Sequence, residues 1–161
     1  LTDINNMLTE DIALGYHGMR AQDNTFNINI EQDLDKDLPL ISVVPQDLSR
    51  VFLNMINNAC YAVKDAGPSK PSGWTPTLRI SSRKAGNFLE VRIRDNGKGI
   101  SPENIKKIFD PFFTTKPAGK GTGLGLSLSY DIVVKVHGGQ IQVESEPGEY
   151  AEFIVTIPIK Q

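Results

Sequence analysis

The chain has 161 residues, of which 39% are hydrophobic and 22% charged, and its formal net charge is −2. That is the length of one domain, long enough to bury a core without covalent staples and too apolar for a disordered segment. The absence of a basic excess argues against a dedicated nucleic-acid or anionic-membrane surface, but not against one small anion held by backbone groups.

Residues 1 to about 21 carry Ile4, Leu8, Ile12 and Tyr16 at helical spacing and predict a first helix. Phe26 to Ile30 alternates as a half-buried strand does, Asp33 to Pro39 is a polar turn, and Ile41 to Val44 is a short second strand. Pro45 opens the clearest helix, which runs to about Lys64, because proline suits a first helical turn. Projected at about 100° per residue, Leu48, Val51, Phe52, Met55, Ile56, Ala59 and Ala62 share one face. Asn54, Asn58 and Tyr61 flank that face, whereas Asn57 and Arg50 point further away. Gly67 to Pro76 holds three prolines and two glycines and is a loop.

Thr77 to Arg83 and Phe88 to Arg94 predict a hairpin turning at Ala85-Gly86-Asn87. Pro102 to Ile108 is a short helix, and Phe109 to Thr122 has no period. Gly123 to His137 is a buried helix. Gln140 to Glu144 and Glu152 to Ile159 are the last strands, joined at Pro147-Gly148. No repeat is present. The order of elements predicts an α+β fold, a two-layer α/β sandwich with a mixed sheet covered on one face by helices.

The single cysteine, Cys60, permits neither an intrachain disulfide nor a cysteine metal site, and its apolar helical setting reads as core packing. A reducing, cytoplasmic setting is expected. No run of eighteen apolar residues could span a membrane. The opening on Leu1 reads as an excised fragment, which leaves room for a membrane segment upstream in a parent protein.

Three segments carry chemistry. The first is Asn54-Met-Ile-Asn-Asn58 on the clearest helix. An asparagine carbonyl is a neutral oxygen ligand suited to Mg²⁺ that already holds phosphates and water. The bland alternative, asparagines on a solvated face, fits Asn57 better than Asn58. The second is Asp95-Asn96-Gly97-Lys98-Gly99-Ile100 after a strand. Asn-Gly is also a hairpin signal, but a helix follows rather than a strand. Asp95 can accept the exocyclic amino N–H of adenine, where guanine presents a carbonyl. Gly97 and Gly99 would let backbone approach the base.

The third segment runs from Phe109 through Phe113 to Lys116, then Gly119-Lys120-Gly121-Thr122-Gly123-Leu124-Gly125. Alternating glycines before a helix expose N–H groups at its positive end, an anion site. A Walker loop would need Ser or Thr directly after Gly-Lys; Gly121 stands there. A Rossmann loop would need G-x-G-x-x-G in a first strand-to-helix turn, and the spacing of Gly121, Gly123 and Gly125 does not match.

Together and in this order, the three segments resemble the Bergerat-fold ATPases, the superfamily of gyrase, heat-shock and mismatch-repair ATPases and histidine kinases. The resemblance extends from about residue 26 to residue 160. Within the superfamily the chain looks like the ATP-binding catalytic domain of a histidine kinase. Asn54–Asn58 matches the N box, Asp95–Gly99 the first glycine box, Phe109–Phe113 the F box and Gly121–Gly125 the second glycine box. The resemblance implies that Asn58 coordinates Mg²⁺, that Asn54 supports the phosphates and that Asp95 reads adenine. It implies phosphate contacts from backbone N–H groups of Gly121, Gly123 and Leu124. It places Ile100, Phe109, Phe113, Thr115, Thr122 and Gly125 around the nucleotide. Lys116 and Lys120 sit in a lid expected to close over the nucleotide, as phosphate partners or as solvated lysines.

The hydrolytic members carry a glutamate four residues before the metal-binding asparagine, as base for the attacking water. Asn54 stands there, and an amide cannot take a proton at neutral pH. The chain departs from the kinase pattern at Tyr61, where many members carry a basic residue, and at Ala151, near a threonine that often helps bind the base through water. His17 and His137 lack the acidic neighbour of a phosphoacceptor, and capping or packing suits His137.

The resemblance therefore implies one domain over residues 1–161, with residues 1–25 leading from a missing helical dimerisation and phosphoacceptor domain. ATP and Mg²⁺ are the expected cofactors. The expected partners are ATP or ADP, that helical domain and a response-regulator receiver domain, with no nucleic acid. The fragment is expected to be a monomer and its parent a homodimer. Two alternatives stay open: a serine-directed kinase of the anti-sigma-factor type, and a nucleotide-sensing or scaffolding domain without transfer.

Overall fold

The computed structural model describes residues 1–111, 113 and 125–159. Helix α1 spans Ile4–Gln22 and is capped by Asp3, whose carboxylate accepts the Asn6 N–H. Strand β1 (Asn29–Leu34) follows, then α2 (Pro45–Ala66). The hairpin strands are β2 (Thr77–Ala85) and β3 (Phe88–Asp95), turning at Gly86 with φ 62°. Helix α3 is one turn, Pro102–Ile105. Helix α4 (Gly125–Tyr130) continues as a π-helix over Asp131–Val136, and β4 (Gln140–Glu146) and β5 (Tyr150–Pro158) close the chain.

The five strands form one sheet in the order β1-β2-β3-β5-β4. Only β1 and β2 are parallel, with Asn29 opposite Thr77, and α2 makes the crossover between them. The hairpin pairs Leu78 with Asp95, and β3 pairs Asp95 with Ala151 of β5. Leu78, Ile80, Leu89, Val91, Ile93, Val155 and Ile157 face the helices and are buried. The opposite face is charged: Arg92 bridges Glu90 and Glu152 at 2.7 Å each, and Arg79 pairs with Glu31 at 3.0 Å. That alternation gives the expected two-layer α+β sandwich with helices on one face.

Helix α2 is the spine of the core. Leu48, Val51, Phe52, Met55, Ile56 and Ala59 are buried as projected, and Cys60 and Val63 join them. Helix α1 crosses α2 at Gly15, where a Cβ would lie only 2.7 Å from the Ile56 methyl, so glycine sets the approach. His137, at the end of the π-helix, is buried. Its Nδ1 donates to the Ile132 carbonyl at 2.8 Å, and its Nε2 accepts the Val44 N–H at 3.0 Å. One proton on Nδ1 satisfies both bonds, which makes the ring neutral and ties the π-helix to the start of α2.

Three expected elements differ. The first strand begins at Asn29 rather than Phe26, because Asp23 accepts both the N–H and the hydroxyl of Thr25 and makes residues 23–26 a turn. Ile41 to Val44 is not a strand: Ile41 makes a single antiparallel bridge with Thr2, between Pro39 and Pro45. The helix begun at Pro102 ends at Ile105 rather than Ile108. Among the described residues, no helix is long and apolar enough to cross a membrane.

Candidate active site

A cavity of about 590 Å³ lies between α2, the segment after β3, and the first turn of α4. Such a volume suits a nucleotide-sized ligand. Helix α2 supplies one wall, and its rise of about 1.5 Å per residue puts Asn54, Asn58 and Ala62 at successive levels along it.

At one end stands Asp95, the last residue of β3. It is 4% exposed, beneath α2 and between β2 and β5. Burial pushes its carboxyl up to about 6; the Gly97 N–H, donating to Oδ1 at 2.9 Å, and the cations Lys70 and Arg94 pull the other way. Burial and the nearby Asp95 charge also raise the Cys60 thiol to about 11, so it is a packing group rather than a nucleophile.

Each residue after Asp95 is tied to a different neighbour. The Asn96 side chain accepts the Thr77 N–H and donates to the Thr75 carbonyl, both at 2.8 Å. A Cβ on Gly97 would meet the Ala62 carbonyl at 2.8 Å. Lys98 pairs with Asp65 at 2.8 Å, and its carbonyl accepts the Gly148 N–H. Gly99 has φ 72°, and a Cβ there would lie 2.6 Å from the Glu146 carbonyl. The Ile100 N–H donates to the Ser145 hydroxyl at 2.7 Å, and that hydroxyl donates to the Tyr150 carbonyl at 2.8 Å. The close approach that demands glycine at 97 and 99 is thus to protein backbone: it wedges the segment between α2 and the β4–β5 turn.

At the other end, the Asn54 amide donates to the Gly125 carbonyl at 3.2 Å, and Ser129 donates to the same carbonyl at 2.8 Å. A glutamate at position 54 has no N–H for this bond. Asn58 is half-buried on the same wall. Asn57 is exposed, with its amide oxygen toward Gly15 of α1, yet the cavity reaches it too, which the helical projection did not foresee.

Asn54, Asn58, Asp95, Gly99, Ile100, Phe113 and Gly125 all line the cavity. Phe109 stands behind the wall, edge-on to Phe153 at 6.5 Å and 5.6 Å from Tyr130. Thr115, Lys116, Lys120, Gly121, Thr122, Gly123 and Leu124 lie outside the described residues, as does most of the expected lid. Reading the sequence missed Ile108, Phe153 and Leu126, apolar members of the lining. Their signal is only core periodicity, which does not separate a cavity wall from a core.

A buried carboxylate at a strand end, facing a helix with asparagines one turn apart, defines an α/β sandwich built for a nucleotide. Residues 43–161 match the family described as histidine kinase-, DNA gyrase B-, and HSP90-like ATPase. The chain belongs to that family, and its structure matches the ATP-binding catalytic domain of histidine kinases. It is 35% identical over 143 residues to sporulation kinase E of Bacillus subtilis, covering 89% of this chain and 18% of that protein. It is 31% identical to the sensor histidine kinase ZraS of Escherichia coli, covering 98% of this chain and 30% of that protein. The chain therefore spans less than a third of the length of these relatives. Among solved structures, the nucleotide-free catalytic domain of histidine kinase ThkA is 28% identical, with a TM-score of 0.78, over 98% of this chain and 93% of that one.

Proposed function

We propose that this domain holds Mg·ATP with adenine at Asp95 and the phosphates at the Asn54–Gly125 end, and passes the γ-phosphoryl group to a histidine on a separate helical domain. Asp95 accepts the adenine amino group through the carboxylate oxygen that Gly97 does not occupy. Ile100 and Phe113 flank the base. Asn54 holds the first turn of α4 by its amide at Gly125, and the resemblance assigns phosphate contacts to backbone N–H groups of Gly121, Gly123 and Leu124. The donor that fits a divalent ion shared with phosphates is a neutral amide oxygen on the cavity wall. Asn58 is that donor, and Mg²⁺ bound there neutralises phosphate charge.

The observation that carries this reading is Asn54. It lines the cavity in the place of the hydrolases' glutamate, and its amide is committed to Gly125. An amide is no general base, a deficit of about 10²–10⁴ in rate for attack by water. A nucleophile supplied by another domain has no need of that base. The parent is then a cytoplasmic-facing homodimer whose phosphohistidine serves a receiver domain.

The test is phosphotransfer. Incubated with labelled ATP, this chain alone should stay unlabelled and release little phosphate. With the parent's helical domain added, label should appear on that domain as a phosphohistidine that survives base and is lost in acid. Brisk hydrolysis by the lone chain would move it to the ATPase branch, and label on His17 or His137 would show that it carries its own acceptor.

A further inference from the structure

The loop between α2 and β2, residues 67–76, lies outside the three motif segments, yet its Lys70 reaches the β4–β5 turn that walls one end of the cavity. It is ordered by its own bonds: Lys70 N–H to the Gly67 carbonyl at 3.1 Å, the Ser69 hydroxyl to Ala66 at 2.8 Å, and Trp74 N–H to Pro71 at 3.1 Å. Trp74 is half-buried against the core, and Asn96 holds the Thr75 carbonyl just beyond it. The Lys70 ammonium lies 5.6 Å from the Trp74 ring centroid and donates to the Gly148 carbonyl at 2.6 Å. The next residue back, Pro147, lines the cavity.

We propose that Lys70 is a positioning residue for the base end of the nucleotide site, holding the Pro147–Gly148 turn in place as its outer wall. This rests on the adenine reading of Asp95. The turn is gripped from two sides, by Lys70 through the Gly148 carbonyl and by Lys98 through the Gly148 N–H at 2.6 Å. The hairpin itself keeps the Glu149 N–H on the Glu146 carbonyl at 2.9 Å, so losing Lys70 leaves the turn formed but removes the side-chain grip that sets Pro147 against the cavity.

Lys70 also acts on Asp95 by its charge. The groups around that carboxylate are the Gly97 N–H, the Cys60 thiol from α2, and the cations Lys70 and Arg94. Lys98 is paired with Asp65, and Arg94 is engaged with Glu152 at 3.4 Å and the Tyr150 ring at 3.8 Å. Lys70 is therefore the cation that a loop substitution removes without touching the sheet. Its loss disfavours the carboxylate form and raises the pH at which the base site switches on.

The experiment measures ADP and ATP binding by calorimetry from pH 5.5 to 8 for the wild type, Lys70→Met and Lys70→Arg. The ligand's own titration is common to all three, so the ratios isolate the protein. At pH 5.5 Lys70→Met should bind about three- to eightfold more weakly, as expected for half to one pK unit, and the gap should close towards pH 8. The factor should be the same for ADP and ATP, with the midpoint moved to higher pH, and Lys70→Arg should restore both. Wild-type affinity and midpoint in Lys70→Met would overturn the inference. So would a larger loss for ATP than for ADP, which would make Lys70 a phosphate contact. If Lys70→Met does not fold, Lys70→Gln, which also removes the ammonium charge, carries the same expectation for the pH midpoint. A wild type that binds neither nucleotide would instead overturn the proposed function.

Discussion

The two ends of the cavity are built differently. At the base end, Asp95 closes a strand paired on both sides, and Asn96 to Ile100 are each tied to a separate element. At the phosphate end, Asn54 meets the first turn of a helix that soon loosens into π turns. Strands paired on both edges cannot slide without breaking a ladder, whereas a π segment can take up a shift in helical register. On the proposed reading, base recognition is therefore a fixed property of the sheet. Alignment of the phosphates is, on the same reading, a property of two packed helices, α2 and α4, that meet at the Asn54–Gly125 bond.

If the base end is the rigid reader, Asp95→Asn should do the most damage. The amide keeps the shape but turns part of the acceptor into a donor. Losing a charged acceptor and leaving the amino group unmatched should weaken ADP binding about a hundredfold by calorimetry. GTP should bind the wild type much more weakly than ATP. An Asp95→Asn protein with unchanged affinity would move base recognition elsewhere.

Gly99→Ala attacks the rigidity itself. It forces a side chain into φ 72° with a Cβ 2.6 Å from the Glu146 carbonyl. Urea denaturation should show a loss of about 2–3 kcal/mol. Gly125→Ala, whose Cβ would make an ordinary 3.6 Å contact with Asn54, should cost much less. Equal costs would erase the contrast between the ends.

A pH titration sharpens the same comparison. Asp95, raised to about 6 by burial, is a charged group with acceptors alone when ionised, and loses the charge and turns one oxygen into a donor when protonated. ADP affinity should fall about tenfold as pH drops from 7 to 5, a change that Asp95→Asn lacks. In the nucleotide-free protein the sign reverses. The folded state holds this proton more tightly than the unfolded chain, so the stability contributed by Asp95 is full below the ordinary carboxylate range and is lost as pH rises through about 6.

The phosphate end gives the smallest effect and the finest test. Asn58→Ala should lose about tenfold of the Mg²⁺ enhancement of ATP binding, on the scale of one charge-assisted contact. Asn57→Ala, exposed at the rim, should keep it. Matching losses would mean that the metal-facing side of α2 has been misassigned.

Much of this was legible in the sequence. The apolar stripe of α2, the β2–β3 hairpin and the two-layer sandwich followed from periodicity and turn residues. Strand β1 was misplaced because Glu31, Gln32 and Asp33 sit on an exposed edge and carry no alternation to read. Ile41 is fully buried, but its apolar signal comes from one bridge to Thr2, which no local pattern encodes. Gly97 and Gly99 stand out in the sequence as places of close approach to a base, whereas the structure sets them against protein backbone. What crowds them, the Ala62 and Glu146 carbonyls, comes from distant parts of the chain. The same holds for Lys70, whose partner Gly148 lies 78 residues away.

His137 has a chemical consequence of its own. An imidazole attacks phosphorus through the lone pair of an unprotonated ring nitrogen. In His137 the Nδ1 proton is given to the Ile132 carbonyl, and the Nε2 lone pair is spoken for by the Val44 N–H. The ring is kept passivated inside the fold. If the domain delivers phosphoryl groups to an imidazole elsewhere, as proposed, its own buried imidazole is held out of reach of that cargo.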